Sequence, residues 1–178
     1  MGYIVVFLIF NAVLTVASSK TIQDANKYDH EVKFTCPSNQ FIKNIQSDHN
    51  DRYEDRTWAF RCAYVPAGAT LSECSWSGYV NTMSDPANYN CHDGGIITGW
   101  KSYHSNKEED RATKYRCCKA KAYLTHTCQY TGFFNDWDGV LNYRVPNGWV
   151  LTGVFSHYLG SKRDRRFNFN ICQLDLEA

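Results

Sequence analysis

The chain has 178 residues, 19 Lys and Arg against 18 Asp and Glu, and a formal net charge of +1. A general nucleic-acid binder needs a strongly basic domain, so this balance excludes that class. Eight cysteines and 15% aromatic residues point instead to a compact, cross-linked chain.

The first element is "MGYIVVFLIFNAVLTVASSK". Its apolar run from Tyr3 to Val16, followed by Ala17, Ser18 and Ser19, has the form of a secretory signal peptide, although no Lys or Arg stands in the short n-region. The run is short for a bilayer span and is interrupted by Asn11 and Thr15, so residues 1–19 are expected to be removed and residues 20–178 to form one domain. No later segment is apolar enough to span a bilayer.

Three copies of a unit follow, over approximately 26–74, 81–128 and 135–174. They are anchored by "EDRTWAFRC" (54–62), "EDRATKYRC" (109–117) and "RDRRFNFNIC" (163–172). Asp55, Asp110 and Asp164 are spaced by 55 and 54 residues, the signature of a repeat. In the same register stand Asn26, Asn81 and Asn135; Ser47, Ser102 and Ser156; and His49, His104 and Tyr158.

Each copy predicts three strands in chain order. A short one is centred on "KFTC", "NYNC" and "NYRV"; a longer one covers "FIKNIQS", "IITGWKS" and "VLTGVFSHY"; the third starts at the Asp-Arg pair. In this last strand Arg56, Trp58, Phe60 and Cys62 share one face, as do Arg111, Thr113, Tyr115 and Cys117, and Arg165, Phe167, Phe169 and Ile171. The third copy carries one extra residue before Cys172, which predicts a β-bulge or a displaced strand end. With turn signals such as "SDPAN", "DGG" and "PNG" between strands and no helical periodicity, the fold class is all-β with pseudo-threefold organisation, a β-prism or trefoil-like closure that removes free edges.

An even cysteine count in a secreted chain predicts disulfides. Cys36 and Cys62 occupy the repeat positions of Cys91 and Cys117, so symmetry favours Cys36–Cys62 and Cys91–Cys117; of the remaining Cys74, Cys118, Cys128 and Cys172, the favoured pairing is Cys74–Cys118 and Cys128–Cys172. Cys117 and Cys118 point to opposite strand faces, and an exchange between them is the main rival pairing.

An arginine on the apolar side of a strand is costly unless paired. The bland reading of Asp55-Arg56, Asp110-Arg111 and Asp164-Arg165 is a repeated internal staple, with each aspartate capping backbone amides or pairing with an arginine of a neighbouring repeat. Trp58 or Phe167 could then cover the guanidinium. The sharper reading is a ligand site used three times. His49 and His104 could contact a sugar or metal, but Tyr158 in the third copy favours aromatic turn residues.

These motifs resemble the dermatopontin family, which includes invertebrate hemagglutinin or amebocyte-aggregation-factor proteins. The hallmark D-R-x-W-x-F/Y followed by cysteine is met by Asp55-Arg56-Thr57-Trp58-Ala59-Phe60 and, with degeneration, at Asp110-Arg111 and Asp164-Arg165. The paired Cys117-Cys118 and the closing "ICQL" fit as well, over nearly the whole mature chain. The resemblance implies a secreted, non-enzymatic protein of matrix, body fluid or venom that binds cell-surface or matrix glycans and proteoglycans, or collagen-associated proteins. A venom-type cytotoxin and a matrix organiser acting on collagen–proteoglycan assemblies are the alternatives. The chain lacks the long Tyr- and acid-rich N-terminal extension of vertebrate members and the extra cysteine pair of ten-cysteine forms, which tilts it toward an agglutinin or toxin.

No H-E-x-x-H, other metal spacing or nucleophile elbow is present, so neither catalysis, metal nor cofactor is expected. The candidate ligand residues are the outward cations Arg61, Lys114, Arg116 and Arg166 with Lys162 and Arg163 nearby; if clustered, they suit a sulphated glycosaminoglycan. Three similar units would offer avidity, and the pattern leaves room for an oligomer.

Overall fold

The computed structural model describes residues 22–176; the expected signal peptide lies outside them. Twelve strands follow in chain order: β1 (Gln23–Asp24), β2 (Val32–Thr35), β3 (Gln40–Asn50), β4 (Asp55–Tyr64), β5 (Thr70–Trp76) and β6 (Ala87–Asn90). Then come β7 (Ile96–Ser105), β8 (Asp110–Lys121), β9 (Tyr123–Phe133), β10 (Leu141–Arg144), β11 (Trp149–Leu159) and β12 (Asp164–Leu176). Among the described residues the only helical element is a 3-10 turn at His92–Gly94, so the protein is all-β.

The strands form three antiparallel sheets of four: sheet one β10-β3-β4-β1, sheet two β2-β7-β8-β5, and sheet three β6-β11-β12-β9. Each is built round a hairpin of one repeat, and each takes its short edge strand from the preceding repeat. Thus β2 of the first repeat pairs with β7, β6 of the second with β11, and β10 of the third returns to β3. This exchange runs in a cycle and ties the chain's beginning to its end. Each sheet keeps two edges, one of which is a strand of four residues, short enough to discourage pairing with another chain.

The apolar faces of all three sheets meet in one cluster. Trp58 packs against Trp100 at 4.9 Å and against Phe167 at 5.0 Å edge-on, while Trp100 meets Tyr115 at 4.8 Å. The alternation in "DRTWAFRC" therefore sends Trp58 and Phe60 into a core shared by three repeats. A smaller cluster of Phe41, Val65, Ala69, Ile96, Val150 and Leu174 lies separately.

Two disulfides tie sheet to sheet. Cys36, just after β2 of sheet two, bonds Cys62 in β4 of sheet one; Cys91, just after β6 of sheet three, bonds Cys117 in β8 of sheet two. At the third junction the matching positions are Val145 and Ile171, both buried in the core cluster, so packing replaces the bond. The other two pin fourth strands to their neighbours: Cys74 of β5 to Cys118 of β8, and Cys128 of β9 to Cys172 of β12. In the first repeat Ala63 stands where Cys118 and Cys172 stand, and its fourth strand, β1, is two residues long.

The structure corrects the expectation of an extra residue before Cys172. Counted from the aspartates, Cys172 corresponds to Cys118, and both sulfurs lie 3.2 Å from the hydroxyl of a threonine in the paired strand, Thr98 or Thr152. Ile171 holds the place of Cys62 and Cys117. The irregularity recurring in all three hairpins is a bulge on the opposite strand, between Ile42 and Asn44, Ile97 and Gly99, and Leu151 and Gly153.

Candidate functional site: an arginine belt and a basic outer face

The Asp-Arg pairs form a closed belt between repeats. Arg56 Nε and Nη2 donate to the two oxygens of Asp164, both at 2.6 Å. Arg111 binds Asp55 in the same bidentate way at 2.6 and 2.7 Å, and Arg165 binds Asp110 at 2.6 and 2.6 Å. Remaining donors are used too: Arg56 reaches the Gly139 carbonyl at 3.0 Å, Arg111 that of His30 at 2.9 Å, and Arg165 that of Asp85 at 2.8 Å. Ser102 and Ser156 accept a further bond from Arg111 and Arg165. All six charged side chains are buried. Fork-to-fork geometry with every guanidinium nitrogen hydrogen-bonded is what makes a buried ion pair tolerable.

Backbone groups complete the belt. Asp55, Asp110 and Asp164 each accept the amide of the residue 26 positions earlier (Asp29, Ser84 and Asp138) at 2.7 to 2.9 Å. Asn26, Asn81 and Asn135 act as side-chain substitutes for a strand partner. Each accepts the amide of Trp58, Thr113 or Phe167 and donates to the carbonyl of Arg56, Arg111 or Arg165. Sequence reasoning found these asparagines by their register but assigned them no role.

Trp58 and Phe167 lie in the core, and of the three belt arginines it is Arg165 that has a ring beside its guanidinium, 5.5 Å from Tyr158. His49 and His104 are not turn residues; they lie within β3 and β7, with their side chains buried where repeats meet. His104 Nδ1 is 3.2 Å from Asp55, and its Nε2 is 3.5 Å from Glu109 and 3.7 Å from Asp29. His49 Nδ1 is 3.3 Å from Asp51 and 3.8 Å from Asp138. At the third junction both members of the pair change together, with Tyr158 in place of histidine and Ser84 in place of aspartate.

His49, Asp138 and Asp164 bring ligand-type atoms within 4.8 Å of one another. Arg56 already spans Asp164, and Lys162 binds Asp138 at 2.6 Å, so the negative charge a cation would need is neutralised. The cavity between the Arg–Asp pairs is about 30 Å³, room for a water or two and too small for a sugar ring.

The belt also has a pH signature. Burial alone would push the Asp55 carboxyl up, but contact with His104, the bonds and charge of Arg111 and the Asp29 amide hold it well below the usual carboxylate range. A folded-state value below the unfolded one, about 3.9, stabilises the fold fully above that pH, and the contribution is lost as pH falls through the depressed value. The melting temperature is expected to drop below about pH 4, and less steeply in Asp55→Asn, which has no such charge to lose. Parallel wild-type and Asp55→Asn melting curves between pH 5 and pH 2 would remove Asp55 from the acid response.

The six candidate cations do not form one patch. Arg61 binds Asn44 on sheet one; Lys162 and Arg163, at the β11–β12 turn, pair with Asp138 and Glu54; Arg166, on sheet three, donates to the Asn135 carbonyl and stacks 4.6 Å from Phe133. Only Lys114 and Arg116 share a face, the outside of sheet two. There the structure adds two lysines that sequence reasoning missed. Lys33 of β2 is directly opposite Lys101 of β7, which is directly opposite Lys114 of β8, giving one row of three lysines across three strands.

Like charges in facing positions destabilise a sheet. One acid, Glu31, answers the row: it pairs with Lys33, and the bond and charge of Lys33, with smaller help from Lys101 and Lys114, lower its carboxyl. Aromatic rings flank the lysines. Lys101 Nζ lies 4.3 Å from the Trp76 ring and Lys114 Nζ 5.0 Å from Tyr79, which meets Tyr103 edge-on at 5.2 Å. Trp76 can lie across the sheet because residue 99 is glycine; a Cβ there would come within 2.9 Å of its ring.

The Dermatopontin family model matches residues 15–176. The chain belongs to the dermatopontin family. It is 39% identical over 168 residues to the hemagglutinin/amebocyte aggregation factor of Limulus polyphemus, covering 91% of this chain and 95% of that one. It is 33% identical over 140 residues to dermatopontin of Biomphalaria glabrata (79% and 93%), and 32% identical over 154 residues to Millepora cytotoxin-1 of Millepora dichotoma (86% and 68%). No solved structure matches the chain.

Proposed function

We propose that this dermatopontin-family protein acts outside the cell as a non-enzymatic adhesion and agglutination protein, and that it holds sulphated glycans on the outer face of sheet two. The observation that carries the reading is the cross-strand row Lys33–Lys101–Lys114. A sheet has no structural reason to align three lysines, whereas a linear polyanion makes the row favourable. Four disulfides suit an oxidising compartment, and the Limulus relative is named for agglutination.

Heparin affinity chromatography tests it. Lys101→Glu with Lys114→Glu should abolish retention at physiological salt, and removing two sulphate-type contacts should lower the slope of log affinity against log salt by about 1.4 to 1.8. Arg166→Ser should elute like wild type, because its guanidinium is already held by Asn135 and Phe133. Unchanged elution of the double variant would return these lysines to ordinary surface charge.

The likeness to a cytotoxin supports a second reading, membrane damage. No helix among the described residues is long and apolar enough to cross a membrane. Erythrocytes that lyse without clumping would favour that reading over agglutination.

A further inference from the structure

Sheet three has the same strand order as sheet two but a different outer surface. Two cross-strand rows span all four of its strands: Asn88, Phe155, Asn168 and Phe133 in one, and Asn90, Gly153, Asn170 and Tyr130 in the other. Asparagine is depleted in strands because its side chain competes for the backbone and packs poorly. Four asparagines on one sheet face depart from local preference without a stabilising gain in the core, which marks a surface kept for recognition. At the two β12 positions the asparagines are peculiar to the third repeat. Asn170 stands where the other repeats have Arg61 and Arg116, and Asn168 where they have Ala59 and Lys114.

The amides are organised. Asn170 Nδ2 donates to Asn90 Oδ1 at 2.7 Å, reaching across β11. That bridge exists because residue 153 is glycine: a Cβ would come within 1.9 Å of Asn90 Oδ1. Asn90 Nδ2 donates in turn to the Tyr130 hydroxyl at 3.1 Å. Among the described residues, the Asn168 and Asn88 Nδ2 groups and Asn170 Oδ1 have no protein partner. Tyr130 and Phe133 border the amides at 48% and 43% exposure, large for aromatic rings on a sheet. Arg166 is the cation on this face, and Phe133 and the Asn135 carbonyl already hold it.

We propose that the outer face of sheet three is a second binding platform, for neutral, hydroxyl-rich glycans. A pyranose offers vicinal hydroxyls, which a primary amide can serve with one donor and one acceptor, and a C–H face, which packs on an aromatic ring. The cation on this face, Arg166, is already held by Phe133, Asn135 and Asp136, so a polyanion gains little here, and an apolar partner would bury unanswered amides. The proposal goes beyond the sulphated-glycan reading, since it uses a different sheet and needs no charge on the ligand. With both faces in use, one molecule would link two kinds of glycan, and cell clumping would not require an oligomer.

The test uses beads carrying galactose, N-acetylglucosamine or mannose, in 0.5 M NaCl so that charge contacts are screened. The wild-type protein should be retained on at least one and released by the free sugar. Asn168→Ala with Asn170→Ala should cut retention at least tenfold, and Phe133→Leu should weaken it separately, at unchanged melting temperature. Lys101→Glu with Lys114→Glu should leave this retention intact while losing heparin, so failure of one platform is distinguishable from failure of the other. Absence of retention on all three sugars, or retention that survives both sheet-three variants, would overturn the proposal.

Discussion

Replacing Arg56 with alanine is expected to lower the melting temperature by roughly 6 to 20 °C, whatever it does to ligand binding. The change strips buried Asp164 of its bidentate partner and leaves the half-buried Gly139 carbonyl without its donor. Breaking a buried pair from one side costs about 3 to 5 kcal/mol, chiefly from the uncompensated charge that remains. Arg111→Ala and Arg165→Ala should fall in the same range, since each guanidinium spans an aspartate of the neighbouring repeat with the same geometry. Arg56→Lys should recover little, because an ammonium cannot span two carboxylate oxygens and a carbonyl at once. The double variant Arg56→Met with Asp164→Asn should cost less than the sum of its parts, as a double-mutant cycle on a coupled pair requires. An Arg56→Ala protein that melts like wild type but no longer agglutinates cells would make the belt a binding site.

The alternation of Arg56, Trp58, Phe60 and Cys62 was legible because one face of that strand is buried and the other is not, which imposes period two on the sequence. The aspartate that answers each arginine was not. Symmetry offers Arg56 an aspartate in every repeat, and the choice of Asp164, 108 residues away, depends on how the repeats close on one another. The fourth strands β5 and β9 escaped notice for a different reason. "YLTHTCQYTGF" is an edge strand largely exposed along its length, so no burial pattern is written into it. The lysine row was half visible. Lys114 and Arg116 flank the conspicuous motif, whereas Lys33 and Lys101 join them only through the strand that one repeat lends to the next. Asn168 and Asn170 lay in plain view within "RDRRFNFNIC", but strand alternation alone gave them no more meaning than any outward polar residue.

Removing the Cys128–Cys172 bond, as Cys128→Ala with Cys172→Ala, is expected to cost about 4 kcal/mol in the chain-entropy account, because the bond closes a 44-residue loop in the unfolded chain. The loss should also have a location. Strand β9 pairs with β12 alone, through a ladder interrupted by register shifts between Asn168 and Asn170 and between Ile171 and Gln173. Its exposed side chains contribute little burial to hold it once the bond is gone. Amide exchange in β9 should therefore accelerate before that of β11 or β12, which remain anchored by Val154, Phe167 and Phe169 in the core. Tyr130 and Phe133 would loosen with the strand, so neutral-sugar retention should fall while heparin retention on sheet two persists. The matching removal of Cys74–Cys118, also a 44-residue closure, should free β5 and take Trp76 from beside Lys101, giving the converse pattern. Equal loss of both retentions in both variants would mean that the bonds support the fold as a whole and pin neither surface in particular.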